Sequence, residues 1–150
     1  MGRENISAKF TRPADTTAYA SSDLIANSTT AGSVTPMSFA TAPGAIQVRR
    51  VRIARSKADI TTAAVRLHLY AALPTVANGD NAAWSSTQAA THLGAVDVTF
   101  ASLMSDGATG QATTEINFNS SGSVIYGLLE ARSALAPASA EVFAVTLEIC

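Results

Sequence analysis

Val65-Arg66-Leu67-His68-Leu69-Tyr70-Ala71-Ala72-Leu73 is the stretch that decides the fold class. Val65, Leu67, Leu69 and Leu73 fall with Ala71 on one face, and Arg66, His68 and Tyr70 fall on the other. Period two marks a half-buried strand, because successive side chains of an extended chain point to opposite faces. Pro74 ends the run, since it has no N–H to give to a ladder. Asn78-Gly79-Asp80-Asn81 then turns the chain.

Outward from this strand the same alternation recurs. Downstream, Val96–Met104 alternates through Val98 and Phe100 before Ser105-Asp106-Gly107. Thr113–Asn119 carries Ile116 and Phe118, and Asn119-Ser120-Ser121-Gly122 reads as a hairpin connection into Ser123–Glu130. Ala140–Ile149 closes the chain, with Phe143, Val145, Leu147 and Ile149 inward and Glu148 outward. Between them, Ser85–Leu93 is expected to form a short helix with Ser85 or Ser86 as its N-cap and Gly94 beyond its end.

Upstream, Ala45–Arg55 has Ile46 and Val48 on one face, then Arg49 and Arg50 side by side, then Val51 and Ile53 back on the apolar face. A phase change of one residue inside a strand predicts a β-bulge. Thr41-Ala42-Pro43-Gly44 reads as a turn. Thr17–Ala26 and Ser33–Ala40 are weaker strands, divided by the Ser/Thr/Gly-rich stretch 27–32. Residues 1–16 are polar, with only Ile6 and Phe10 as apolar anchors, and read as an extended N-terminal arm. Residues 17–150 make a single domain.

About eight short strands with Gly, Pro or Asn at most corners predict an all-β, antiparallel two-sheet sandwich, with jelly roll the favoured member. At most one short helix accompanies them. A chain of 150 residues suits one domain and buries enough surface to need no disulfide or metal staple. Charged residues make only 14% of it, which argues against disorder. Thirty alanines, many on strands, are unusual given their weak β-propensity, and such thin strands can pack closely on another protein.

The polar start predicts no secretory leader, and no apolar run is long enough for a membrane helix. The single Cys150 excludes an internal disulfide and reads as a small apolar residue after Ile149. No GxSxG, Walker, dinucleotide-binding, HExxH or CxxC motif is present, so no enzyme and no cofactor are expected. His68 reads as a solvent or interface residue in preference to a general base. His92 suits the C-terminal end of the expected helix, and two histidines would need carboxylates to make a metal site. Asn78–Asn81 lacks the ligand alternation of a calcium loop and reads as plain turn chemistry. Trp84 is either a plug at the end of the core or a stacking surface for sugars, with the plug favoured.

The net charge of −1 conceals a division: residues 1–66 hold nine Lys/Arg against four acids, and residues 67–150 hold one against seven. Arg49, Arg50, Arg52, Arg55 and Lys57 are half of all basic residues. No aromatic side chains interleave with them, so an acidic protein partner is favoured over nucleic acid. The alternative is a solvated face.

Phe10-Thr11-Arg12-Pro13-Ala14-Asp15-Thr16-Thr17-Ala18-Tyr19 and Asp23-Leu24-Ile25-Ala26-Asn27-Ser28 resemble small virion structural proteins of tailed bacteriophages, especially head decoration (cement) proteins. Val65–Tyr70, Pro74-Thr75 and Asp80-Asn81-Ala82-Ala83-Trp84 share the likeness, which spans roughly residues 10–100. The resemblance implies a non-enzymatic β-sandwich, made in the host cytoplasm. It would bind the major capsid protein on the capsid exterior, with no membrane partner. It also suggests a trimer. The charge division supplies the contact expected in it: Arg49–Lys57 of one protomer would face an acidic patch from Asp97, Asp106, Glu115 or Glu130 of the next. A carbohydrate- or receptor-binding module of a phage tail or fibre is the alternative. The expected protein contacts are Arg3, Ile6, Lys9, Phe10 and Arg12 on the arm, and Arg49, Arg50, Arg52 and Arg55 on the basic strand.

Overall fold

The computed structural model describes residues 2–150; Met1, the first residue of the expected arm, lies outside them. Nine antiparallel strands carry the fold: β1 (Glu4–Thr11), β2 (Leu24–Ile25), β3 (Met37–Ala40), β4 (Gly44–Arg55), β5 (Ala64–Tyr70), β6 (His92–Met104), β7 (Gly107–Ser120), β8 (Val124–Ala131) and β9 (Val142–Ile149). Their order is β1-β9-β4-β7-β6-β5-β8-β2, with β3 also on β8. Taking β2 and β3 as two pieces of one interrupted strand, first pairs with last, second with next-to-last, and so inward to β5 with β6. This nested pairing is a long hairpin rolled up on itself, the jelly roll.

One layer is β1-β9-β4-β7 and the other is β6-β5-β8 with β2 and β3. β6 serves both layers: Val96–Thr99 pair with β5, and Phe100–Met104 pair with β7. At the crossing, Gly110 stands opposite Phe100, and a Cβ there would lie 2.3 Å from the Thr99 carbonyl oxygen. Only glycine fits where the chain passes from one layer to the other.

Alternation builds the core. Val48, Val51, Ile53, Phe143, Val145 and Leu147 point inward from one layer, and Val65, Leu67, Leu69, Phe39, Ile125 and Leu129 from the other, all fully buried. The bulge read from the sequence is present: register shifts between Val48 and Arg50 against both β7 and β9.

Other expectations are corrected. The helix over 85–93 is absent; only a single 3-10 turn, Ala89–Thr91, precedes β6. Ser85 Oγ accepts the Ala77 and Asn78 N–H groups at 3.0 and 2.9 Å, and Ser86 Oγ accepts Tyr70 OH at 2.8 Å. The two candidate caps instead fasten a loop to the body, as Ser side chains do when they bond non-helical backbone. Thr17–Ala26 yields only β2, and Ser33–Ala40 only β3. β5 stops at Tyr70, leaving Leu73 57% exposed. Asn119–Gly122 does not close a hairpin, because β7 and β8 belong to different layers. The expected arm is likewise not separate: residues 4–11 are β1, hydrogen-bonded along β9 from Glu4–Ile149 to Thr11–Val142. No helix among the described residues is long and apolar enough to cross a membrane.

Candidate functional site

Because Phe143, Val145, Leu147 and Ile149 face the core, Ala144, Thr146 and Glu148 must face outward, and the register extends this across the layer. Three rows cross four strands: Asn5–Glu148–Arg50–Thr113, Ser7–Thr146–Arg52–Gln111, and Lys9–Ala144–Ala54–Thr109. No bulky aliphatic or aromatic side chain stands on these rows. The face is therefore low, polar and open to close approach.

At one end the bulge lifts Arg49 beside Arg50, and an open groove of about 590 Å³ forms between Arg3, Arg49, Arg50, Thr113, Thr114, Glu115 and Glu148. Glu148 Oε2 accepts Arg50 at 2.8 Å, and its Oε1 accepts Arg3 at 3.4 Å. Arg49 donates to Gln47 Oε1 at 3.2 Å. Three guanidinium groups thus meet two carboxylates, and exposed Arg52 adds a fourth positive charge on the next row. The guanidinium groups leave the surface net positive; their pairs with Glu148 are half-buried, the carboxylate being 15% exposed.

The structure brings together Arg3, Arg49, Arg50 and Arg52, and leaves Lys9 outward on the third row. Four other candidates turn inward. Ile6 is buried, and Phe10 stacks on Phe143 with ring centroids 5.7 Å apart. Their alternation on β1 aims them at the core of their own chain, so they are not free anchors for a neighbour. Arg12 and Arg55 are buried too. Of the four acids expected to face this strand from a neighbouring protomer, Asp106 is exposed at the β6–β7 turn. Glu130 is buried, Asp97 is held by Arg66 at 2.6 and 3.1 Å, and Glu115 lines the same groove as Arg50.

Three buried polar clusters were not visible as such in the sequence. Arg12 donates to Tyr19 OH at 2.8 Å, to the Pro13 and Ala138 carbonyls at 3.1 and 2.9 Å, and to Asp15 Oδ1 at 2.9 Å; it also bonds the Asp15 carbonyl. Tyr19 OH donates to Asp80 Oδ1 at 2.6 Å, which also accepts the Ala26 N–H at 2.8 Å. Burial pushes the Asp80 carboxyl above the usual carboxylate range and the Tyr19 phenol above the usual phenol range. The turn Asn78–Asn81 is thus a clasp: Gly79 lies so close to Thr29 that a Cβ would sit 2.1 Å from its carbonyl oxygen.

The second cluster joins Arg55 to Glu141 beneath the β8–β9 loop. The third lies on the outer face of the other layer. His68 there is only 9% exposed, its ring stacked on Trp84 at 4.1 Å, and its two nitrogens face Glu130 and His92. The face of β5 that reads as polar is therefore roofed by the loop bearing Trp84. That indole packs against a small second core of Leu24, Ala26, Tyr70 and Leu128. Among the described residues, no three His, Cys, Asp or Glu side chains converge on one point.

No protein-family profile matches the sequence, and no curated protein is detectably similar to it. Among solved structures, the chain is similar to one in the cyanophage Pam1 capsid asymmetric unit, at 14% identity and a TM-score of 0.40, covering 98% of this chain and 83% of that one. It is similar to the globular domain of zebrafish complement 1qA protein at 11% identity and 0.33, covering 96% and 94%. A Triatoma virus structure follows at 10% identity and 0.31, covering 96% and 62%. All three scores lie below 0.5, so the likeness carries no functional argument.

Proposed function

We propose that the chain is a non-enzymatic virion structural protein that sits on the outside of a capsid shell, binds the major capsid protein and ties neighbouring capsomers together. The outer face of β1-β9-β4-β7 carries this reading. Its rows of Ser, Thr, Ala and Asn let another protein approach over four strands, and Arg3, Arg49, Arg50 and Arg52 give that contact a sign. Exposed charges of this kind set orientation and encounter rate more than affinity, which suits a protein bound in many copies. The sequence resemblance over residues 10–100 points the same way. A trimer on a local symmetry axis belongs to the same proposal. Trp84, which a sugar-binding module would present bare, is engaged with His68 and the second core.

The test is a copy count. Quantitative mass spectrometry of virions purified from cells producing this chain should find it in hundreds of copies, fractionating with heads. A few copies confined to tails would overturn the reading and favour the receptor-binding alternative.

A further inference from the structure

The rolled sheet has two ends, and they are defended differently. At the β2 end, Leu24 donates its N–H to the Ala82 carbonyl at 2.8 Å and its own carbonyl accepts the Asn81 N–H at 2.9 Å, so residues 80–82 cover that edge. β3, the other piece of the same edge, is four residues long and follows Pro36, which blunts strand pairing. β1 runs for eight residues with no proline within it, no shift in its register on β9 and no covering loop among the described residues. Its ladder ends with the Arg12 N–H donating to the Glu141 carbonyl at 2.9 Å. Bonded pairs alternate along an antiparallel ladder, so the even residues of β1 are the ones bonded to β9. The N–H and C=O groups of Asn5, Ser7, Lys9 and Thr11 therefore point off the sheet, where no described residue meets them. An open groove of about 620 Å³ runs beside this edge, between Lys9, Phe10 and Thr11 on one side and Thr35, Met37 and Ser38 on the other. Lys9 is exposed and makes no ion pair among the described residues.

We propose that β1 accepts an added strand: an extended, acid-bearing segment of the protein on which the outer face docks, paired antiparallel with Asn5–Thr11. A row of unpaired ladder groups is the template for such addition; main-chain bonds hold the segment and alternate side chains select it. Asn5, Ser7 and Lys9 head the three rows of the outer face, so the segment continues those rows onto a fifth strand. Its residue opposite Lys9 lies on that face and is Asp or Glu. The residues on either side of the acid fall on the core side, next to Ala8 and Phe10, and are apolar. A second copy of β1 does not supply the acid. Antiparallel pairing sets outward residues opposite outward residues, and those of β1 are Asn5, Ser7, Lys9 and Thr11, while Glu4 has the phase of Ile6.

The inference rests on the capsid reading only for the source of the segment; the pairing is tested with a peptide, so the two can fail separately. The probe is the end-capped hexapeptide Val-Glu-Val-Thr-Val-Thr, whose Glu falls opposite Lys9 when its first residue lies opposite Phe10. Added at millimolar concentration to the isotope-labelled full chain, it should shift the Asn5, Ser7 and Lys9 amide resonances saturably and slow their hydrogen exchange. The Ile6 and Ala8 amides, already bonded to β9, should change little. Ser7→Pro removes an outward donor without touching the β9 ladder, as edge strands tolerate, and should weaken the peptide about tenfold or more. Lys9→Glu, at an exposed site, should reverse the preference toward the same peptide with Lys in place of Glu. No saturable response, shifts that do not alternate along β1, or a peptide preference unchanged in Lys9→Glu overturns the proposal. A parent dimer in sedimentation that Ser7→Pro dissociates would give the edge to a second copy and overturn it as well.

Discussion

Arg55 and Glu141 form a two-pronged ion pair with both side chains fully buried, Nε to Oε2 at 2.8 Å and Nη2 to Oε1 at 3.1 Å. The remaining Arg55 donors reach the Ala136 and Asp59 carbonyls at 3.1 and 3.3 Å, and the guanidinium lies over the Phe100 ring at 5.7 Å. The pair locks the β8–β9 loop onto the end of β4. Removing one partner leaves a buried charge without its counter-ion. Glu141→Leu is therefore expected to cost about 3–5 kcal/mol in urea unfolding. The double variant Arg55→Met/Glu141→Leu should recover much of that loss. A single variant as stable as the parent would show the pair to be incidental.

Deleting residues 1–12 is expected to unfold the chain and not merely to strip it of an arm. β1 supplies one edge of a layer; buried Ile6 contributes roughly 1.5–3 kcal/mol of apolar burial and half-buried Phe10 adds to it. Arg12 adds the clasp to Tyr19 and Asp15. Together these are a large part of the roughly 5–15 kcal/mol that keeps a domain folded. Circular dichroism melting of the 13–150 fragment should show a lost or strongly lowered transition. A melt coincident with the full chain would show that β1 is dispensable.

Gly79→Ala tests the clasp without touching a charge. The added methyl meets the Thr29 backbone, which can move only by opening the loop, so a loss of about 1–3 kcal/mol is expected. Gly122→Ala, with nothing within 4 Å of the new Cβ, serves as the control and should be neutral or slightly stabilising. Equal melting temperatures for the two variants would count against the close approach.

Much of this was legible in the sequence, and the part that was not has a physical reason. Period two placed β4, β5, β6 and β9, and the adjacent Arg49-Arg50 pair located the bulge. Arg12 and Arg55 are expected at a protein contact when residue type outweighs phase, and Glu141 gives no signal by type. Arg55 has the parity of Val51 and Ile53, Glu141 that of Phe143 and Val145, and Arg12 that of Ile6 and Phe10, all inward. At these three positions the inward phase accompanies a buried ion pair, whereas Glu4, of the same phase as Ile6, is exposed. His68 had the opposite parity and read correctly as outward. Its burial depends on the Trp84 loop folding over the sheet, a long-range event with no local pattern. The helix at 85–93 failed because Ser85 and Ser86 found non-helical partners.

His68 makes stability fall on mild acidification. Burial lowers its proton affinity, against the pull of Glu130 and with the push of His92 and Arg66. Below the ordinary value of about 6.5, the unfolded chain takes the proton more readily than the folded one. Stability then rises with pH across the window from the depressed folded pKa up to 6.5, and is lost as the pH falls through it. Asp15, Asp59 and Asp97 are lowered chiefly by bonds from Arg12, the Thr61 N–H and Arg66. Their contribution is present above the ordinary carboxylate value and lost only further down. Asp80, raised by burial, runs in the opposite sense. Comparing urea midpoints at pH 7.5 and 5.5 for the parent and His68→Gln isolates the histidine: the variant should show the smaller drop. Equal drops would remove His68 from the account.

Arg50 and Arg52 provide the sharpest test of the proposed docking face, because they can be neutralised at little cost to folding. The Arg50 side chain is 37% exposed and its partner Glu148 15%, so the pair is half-buried, and Arg3 at 3.4 Å stays with the carboxylate when Arg50 is replaced; the cost is expected to be about 1 kcal/mol. Arg52 stands fully on the surface between Thr146 and Gln111. The double variant Arg50→Gln/Arg52→Gln should melt within a few degrees of the parent. If the face binds a shell, sedimentation with capsids should show lower occupancy for the variant at low salt. Parent binding should also weaken with salt, since the screening length falls from about 10 Å at 0.1 M to about 3 Å at 1 M. The variant, with two fewer charges on the contact, should lose less over the same range. Identical occupancy and identical salt dependence would move the contact elsewhere on the molecule. The exposed apolar tip at Leu103 and Met104, 56% and 49% accessible at the β6–β7 turn, would be the next surface to substitute.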